Sequence, residues 1–274
     1  MAVDEVRQSW VPEGVDIEVA NASRIYDYAL GGMHNFRVDR ETWKRVEEIF
    51  PDARTLARAN RAFLARAVEW FAESGVDQFL DLGSGIPTLG NVHEVAQEVN
   101  PSARVMYVDI DPVAVEQSKS LLRGNPYATA IVGDLRDTNA ILRDPRLLDF
   151  LDFSRPIAVL MVAVLHFITD DEDPRSIINA IGAAVASGSF LAVSHVGPEA
   201  TQEGRDRQEA VRKLYEKTPT PLAIRDARRL QDLIGDAFEL LPPAVVTADQ
   251  WHPDPDDEAE QPHPTALVAV GRRR

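Results

Sequence analysis

Phe79-Leu80-Asp81-Leu82-Gly83-Ser84-Gly85-Ile86-Pro87-Thr88 runs an apolar segment straight into a glycine-rich turn. A short apolar run closed by glycines reads as a strand buried on both faces, and the glycines let the backbone bend sharply and approach a ligand closely. A lone Gly-x-Gly is weak evidence, but its surroundings strengthen it. A second run, Val105-Met106-Tyr107-Val108-Asp109, ends in an acid 26 residues beyond Gly83. A carboxylate at the tip of a second strand can accept hydrogen bonds from both hydroxyls of a ribose. A third run ends Ile131-Val132-Gly133-Asp134-Leu135, which sets another acid on the same carboxyl edge. In open α/β sheets that edge is where ligands bind.

Outward from these strands the pattern repeats. Apolar runs at Ile157–Leu165 and Phe190–Val193 alternate with helical segments at Asn91–Val99, Pro112–Leu122 and Pro174–Ala186. Such alternation predicts parallel βαβ units and an α/β fold. Asp173-Pro174 offers a capping side chain before a proline in the first helical turn. Arg225–Ile234 reads as a further helix, and Phe238–Val246 and Thr265–Val270 as two final strands. The linker His252–Pro264 holds five acids and four prolines and reads as a surface loop. Before the sheet, residues 1–20 form an irregular arm and residues 21–75 three helices. Gly31-Gly32 closes the first; Asp39 caps the second, which must end near Phe50-Pro51. The third places Leu56, Ala59, Phe63, Ala67 and Trp70/Phe71 at three- and four-residue steps, with Gly75 as its terminal cap.

Composition removes whole classes of chemistry. The 274 residues carry 29 Lys+Arg against 44 Asp+Glu, a net charge of −15, and no cysteine. Without cysteine there is no disulfide, thiolate zinc site, iron–sulfur cluster or cysteine nucleophile. The acidic balance counts against a nucleic-acid partner, which calls for a surplus of basic side chains. The opening Met1-Ala2-Val3-Asp4-Glu5-Val6 lacks the basic-then-apolar order of a secretory signal. The longest apolar run, Ile157–Leu165, falls far short of the ~20 residues that span a bilayer. These features predict a soluble, cytoplasmic protein without a membrane partner. No two histidines have helical metal-ligand spacing, so no metal site is expected.

Two cofactor classes suit a strand, a glycine turn and an acid in this order. A dinucleotide fingerprint wants a third glycine where Thr88 stands. The acids Asp81 and Asp134 suit S-adenosylmethionine better, because that molecule has a sulfonium, an ammonium and an adenine amino group but no phosphate. On these residues the sequence resembles the class I S-adenosylmethionine-dependent methyltransferases. The resemblance implies a Rossmann-like, mostly parallel seven-stranded sheet with helices on both faces. Asp81, Gly83, Ser84 and Gly85 would form the first cofactor motif. Asp109 would hold the ribose, beside Ile110; Asp134-Leu135 would meet the adenine, and Ala163 would line the site after the fourth strand. Pro87 departs from the pattern, where many members carry glycine, and puts the local backbone path in question.

The N-terminal segment narrows the likeness. Ala22-Ser23-Arg24-Ile25-Tyr26-Asp27-Tyr28-Ala29-Leu30-Gly31-Gly32-Met33-His34-Asn35-Phe36, followed by Asp39-Arg40-Glu41, resembles the opening signature of an actinobacterial methyltransferase family first catalogued as a domain of unknown function. Leu165-His166-Phe167 and Ser194-His195 are similar to that family as well. The likeness implies an N-terminal arm and helical lid over residues 1–75 and a methyltransferase core over residues 76–274. Arg24 would pair with the cofactor carboxylate, and Tyr26 or Asn35 would line the pocket.

His166 is the sharpest catalytic candidate, because it follows the fourth strand in Val164-Leu165-His166-Phe167-Ile168-Thr169-Asp170-Asp171-Glu172. Methyl transfer is an in-line displacement, and imidazole suits removal of the acceptor's proton. Plant-type small-molecule O-methyltransferases carry a similar local stretch. His195, at the end of the fifth strand, is the second candidate. The segment after the fourth strand, Met161-Val162-Ala163-Val164, lacks the Asn/Asp-Pro-Pro-aromatic motif of nucleic-acid N-methyltransferases. The expectation is therefore direct methyl transfer to a small molecule. An NAD-dependent oxidoreductase and a non-catalytic S-adenosylmethionine-binding regulator are the alternatives.

Overall fold

The computed structural model describes residues 10–88, 90–253 and 265–274. Three helices come first: α1 (Ala22–Ala29), α2 (Arg37–Ile49) and α3 (Ala53–Glu73). Then follow β1 (Gln78–Leu82), α4 (Val92–Val99), β2 (Arg104–Asp109), α5 (Pro112–Leu121) and β3 (Ala128–Val132). The second half comprises α6 (Thr138–Leu142), α7 (Pro145–Phe150), β4 (Ala158–Met161), α8 (Pro174–Ala184), β5 (Phe190–Val196), α9 (Gln202–Tyr215), α10 (Ala227–Ile234), β6 (Glu239–Thr247) and β7 (Ala266–Arg272). The seven strands form one sheet in the order β3-β2-β1-β4-β5-β7-β6, parallel from β3 to β5 and antiparallel where β7 joins β5 and β6. This is the class I methyltransferase arrangement.

Strand alternation sorts the core into two layers. Phe79 of β1 packs with Val105, Leu160 and Ala192 against Phe63, Ala67 and Phe71 of α3, and against α4 and α5. Leu80 and Leu82 face the other way, with Met106, Val159 and Leu191, onto α6, α7, α8 and α10. A third apolar cluster joins Ile25 and Ala29 of α1, Trp43 and Val46 of α2, and Tyr215 of α9. Thus α3 is a layer of the sheet domain, while α1, α2 and α9 form the cover. No helix among the described residues is long and apolar enough to cross a membrane.

Most expected elements stand where the sequence puts them, with instructive exceptions. The second helix begins at Arg37, two residues before Asp39, whose carboxylate accepts the N–H groups of Phe36 and Asn21 from inside the first turn. The fourth strand stops at Met161 rather than Leu165. There Ala163 takes a left-handed φ of 57°, its N–H held by the Ser194 hydroxyl, and His166 sits in a 3₁₀ turn, Leu165–Phe167. Helix α9 had no counterpart in the sequence reading. Asp173 does cap α8 ahead of Pro174. Most of the irregular arm's first half (residues 1–9) and of the acidic linker (254–264) lies outside the described residues.

Candidate active site

A cavity of about 260 Å³ opens at the carboxyl ends of β1, β2 and β4, beneath α1, α2 and α9. Asp81, Gly83, Ser84, Gly85, Asp109 and Ile110 line it, as do Asp134, Leu135, Ala163, His166, His195 and Tyr26. The turn after β1 folds back on its neighbour: the N–H groups of Gly83 and Ser84 both donate to the Val108 carbonyl. Gly83 has a φ of 75°, and a Cβ there would stand 2.3 Å from Val164. Only glycine fits that position. Gly85 also has a positive φ, 68°, and its N–H donates to the Asp109 carboxylate at 2.7 Å.

Asp109 accepts further bonds from the Asp111 N–H at 2.8 Å and the Ser23 hydroxyl at 3.2 Å. Burial nevertheless outweighs these donors and pushes its pKa up to about 6. Asp81, also buried, is pushed up to about 7, with the Arg61 charge opposing and the Asp109 charge adding. Asp134 differs: desolvation is outweighed by the hydrogen bonds and charge of Arg136, which lower its pKa.

Two expected cofactor residues do not reach the cavity. Arg24 is buried elsewhere, its Nε 3.2 Å from Asp111 and 3.8 Å from Asp39, and its Nη2 donating to the Val19 carbonyl. The Nε–Asp111 contact is an ion pair without hydrogen-bond alignment. Arg24 therefore ties α1 to α2 and to the start of α5. Asn35 gives its amide to Asp27 and to the Gly32 carbonyl, bracing the turn between α1 and α2. Arg61 of α3 is the arginine on that side of the cavity wall, and its Nη2 donates to the Gly90 carbonyl.

Tyr26 stands in a relay that crosses the site. Its hydroxyl donates to the Ala57 carbonyl and accepts from Asn60, whose Oδ1 accepts from the Ser194 hydroxyl. Ser194 in turn accepts the Ala163 N–H at 2.8 Å, which joins α1, α3, β5 and the exit of β4.

The histidines are unequal. His195 donates from Nδ1 to the Val196 carbonyl at 2.9 Å and accepts at Nε2 from Arg225 at 3.0 Å. Both nitrogens are engaged, and burial drives its pKa down to about 4. The expectation of His195 as a second base is corrected on this ground: its ring has no lone pair to offer. His166, packed edge-on to it with ring centroids 5.7 Å apart, has an Nδ1 with no hydrogen-bond partner among the described residues. Burial, then the neighbouring His195 and Arg225, hold its pKa well below the usual imidazole range.

Arg225 escaped the sequence reading. It is 4% exposed and bonds the carbonyls of Leu165 and Ile168, the Asp170 carboxylate and His195. It thereby fastens the turn that carries His166.

The S-adenosyl methyltransferase family profile matches residues 8–274. The chain belongs to that family. The methyltransferase is 34% identical to a Thermobifida fusca YX protein provisionally described as a methyltransferase; its crystal structure matches with a TM-score of 0.89 over 97% of this chain and 100% of that one. It is 35% identical to a DUF574-family protein of Streptomyces avermitilis MA-4680, with a TM-score of 0.87 over 94% and 99% of the two chains. No curated protein is significantly similar to the sequence. The cofactor of the family is S-adenosylmethionine.

The residues of this methyltransferase fit that cofactor. Buried acids at Asp81 and Asp109, costly to ionise alone, suit a ligand with a positive charge and ribose hydroxyls. The glycine cradle at Gly83 leaves space that any side chain would close. The acid-rich donor set is poorly suited to the pyrophosphate of NAD, so the oxidoreductase alternative falls.

Proposed function

We propose that this methyltransferase transfers the methyl group directly to a small molecule, with His166 as the proton acceptor. One observation carries the reading. Asp109, at the sheet edge, and His166, with an unpartnered Nδ1, line a single cavity. When bound, S-adenosylmethionine supplies an electrophilic methyl carbon on a sulfonium. Asp109 would hold the ribose hydroxyls, Asp134 and Leu135 the adenine, and Asp81 the cationic part. Arg61, which lines the cavity where Arg24 does not, would pair with the cofactor carboxylate.

His166 is neutral at pH 7, because its pKa lies well below 6.5. A neutral imidazole keeps one nitrogen lone pair, which would accept the acceptor's proton as the new bond forms. Arg225 keeps the histidine turn in place, and His195 holds Arg225 through a fixed tautomer. The apolar cover formed by α1, α2 and α9 lies over the site of transfer. Incubation with methyl-labelled S-adenosylmethionine and fractionated small-molecule extract tests the reading. A labelled product formed by the wild type and lost in His166→Ala is expected; label transferred equally by both proteins contradicts the role of His166.

A further inference from the structure

The cavity has a second half that the cofactor contacts leave unused. Its walls are Trp43 and Phe50 at α2, Phe167 beside the proposed base, Val211 and Tyr215 of α9, and Leu222 beyond it. The charged groups lining the cavity, Arg61, Asp81, Asp109, Asp134 and Arg136, all stand on α3 or at the sheet edge. Among the described lining residues of α2, α9 and the segment after α9, none is ionised. An ion entering this half would lose its hydration with no countercharge to replace it.

The polar atoms here divide into engaged and unengaged. Gln208 is used at both ends, donating to the Gly197 carbonyl and accepting from the Glu199 N–H. Thr220 is bonded to Thr218. Trp43, 5% exposed, has an indole N–H with no hydrogen-bond partner among the described residues. Tyr215, 8% exposed, has a hydroxyl with no hydrogen-bond partner among the described residues, and burial raises its pKa far above the usual phenol range. Both are donors, and the buried Trp43 N–H is left without an acceptor, a costly state that a ligand oxygen would relieve. The Tyr215 ring lies 5.6 Å from Phe167, whose ring is 4.4 Å from that of His166. An aromatic wall thus leads from Tyr215 to the base.

We infer that the methyl acceptor is an uncharged, hydroxylated aromatic molecule bearing a second oxygen, such as a ketone, that accepts hydrogen bonds from Trp43 and Tyr215. The inference rests on the methyltransferase reading above and names its substrate class. In the step, the acceptor's hydroxyl oxygen bonds to the methyl carbon while the carbon–sulfur bond breaks. The bonding pair stays on sulfur, and the hydroxyl proton passes to the neutral imidazole of His166. The positive charge moves from sulfonium to imidazolium, so atoms and charge balance.

Four para-substituted phenols test this. They are para-hydroxyacetophenone, para-ethylphenol without the ketone, para-hydroxybenzoate with a carboxylate, and tyramine with an ammonium. Calorimetry first measures S-adenosylhomocysteine binding, then each phenol on the saturated protein. The expected result is that para-hydroxyacetophenone binds about tenfold or more tightly than either charged analogue, because neither charge finds a partner. Trp43→Phe and Tyr215→Phe should each weaken it about fivefold, as for one lost hydrogen bond. Both should leave para-ethylphenol and S-adenosylhomocysteine within about twofold, which also shows that the variants fold. A charged analogue binding as tightly as the ketone, no phenol binding at all, or no loss in either variant overturns the substrate class while S-adenosylhomocysteine still binds. Failure of S-adenosylhomocysteine to bind overturns the cofactor assignment and the inference with it.

Discussion

At the sheet edge, Asp81, Gly83, Asp109 and Asp134 come from the ends of three strands or the turns just after them, each placed by local strand register. Across the same cavity, Trp43, Phe167 and Tyr215 come from three segments far apart in the chain, brought together by the packing of α2, the β4 exit and α9. The first half is acidic, glycine-hinged and fixed by the sheet; the second is apolar, uncharged and fixed by side-chain packing. One half can therefore be read from short motifs, and the other emerges only when the fold closes. Changes in the two halves should separate cofactor binding from chemistry and acceptor choice.

The largest expected effect is on the acceptor side. His166→Ala should lower the turnover rate about 10²–10⁴-fold, the usual worth of a general base. Binding of S-adenosylhomocysteine should stay within about twofold, since the ring makes no bond that holds the sheet edge. Equal loss of both would merge the two halves. Asp109→Ala comes next. Loss of charge-assisted bonds worth about 1.5–3 kcal/mol should weaken S-adenosylhomocysteine about 10- to 150-fold in a calorimetric titration.

Arg225→Met follows, with its effect on stability. It strands the carbonyls of Leu165 and Ile168 and the Nε2 of His195. Asp170 is largely exposed, so the lost ion pair itself adds little. Urea unfolding should show a loss of roughly 2 kcal/mol, and turnover should fall through a loosened His166. Unchanged turnover would deny Arg225 its positioning role.

The smallest effect is a pH dependence. In the free protein, Asp109 and Asp81 lose protons near pH 6 and 7. Hydroxyl donors and a cation favour the carboxylates, so S-adenosylhomocysteine binding should release protons and tighten as pH rises through that window. For the ligand-free protein the sign reverses. Folded pKa values above the unfolded 3.8 mean that the native state binds the extra protons, so these two acids stabilise it less as pH climbs from about 4 to 7. Melting curves with and without ligand check both directions; a ligand-induced shift larger at pH 5.5 than at about pH 8 would contradict the assignment.

Legibility in the sequence follows the same division. Five parallel strands, two final strands and the three leading helices are visible as apolar runs and helical steps. The fourth strand looks longer in the sequence than it is, because Val162-Ala163-Val164 stays apolar after the strand has ended at Met161. Helix α9 was invisible because its surface is charged and only Gln208 and Tyr215 are buried. Arg24 and Arg61 show why residue type alone misassigns a role. The first is captured by Asp39 and Asp111 from two other elements, a long-range fact. The second left a signal: Asn60 and Arg61 interrupt the otherwise apolar face of α3, and both line the cavity. His195 differs from His166 through the Val196 carbonyl on its Nδ1 and through Arg225 on its Nε2, and Arg225 lies 30 residues away in sequence.

The most direct test of the two-half account is one calorimetric series, S-adenosylhomocysteine titrated into the wild type, Asp109→Ala and His166→Ala. The account predicts one site per chain, an affinity loss of at least about tenfold in Asp109→Ala, and a change within about twofold in His166→Ala. Unchanged affinity in Asp109→Ala, or the same loss in both variants, would contradict it.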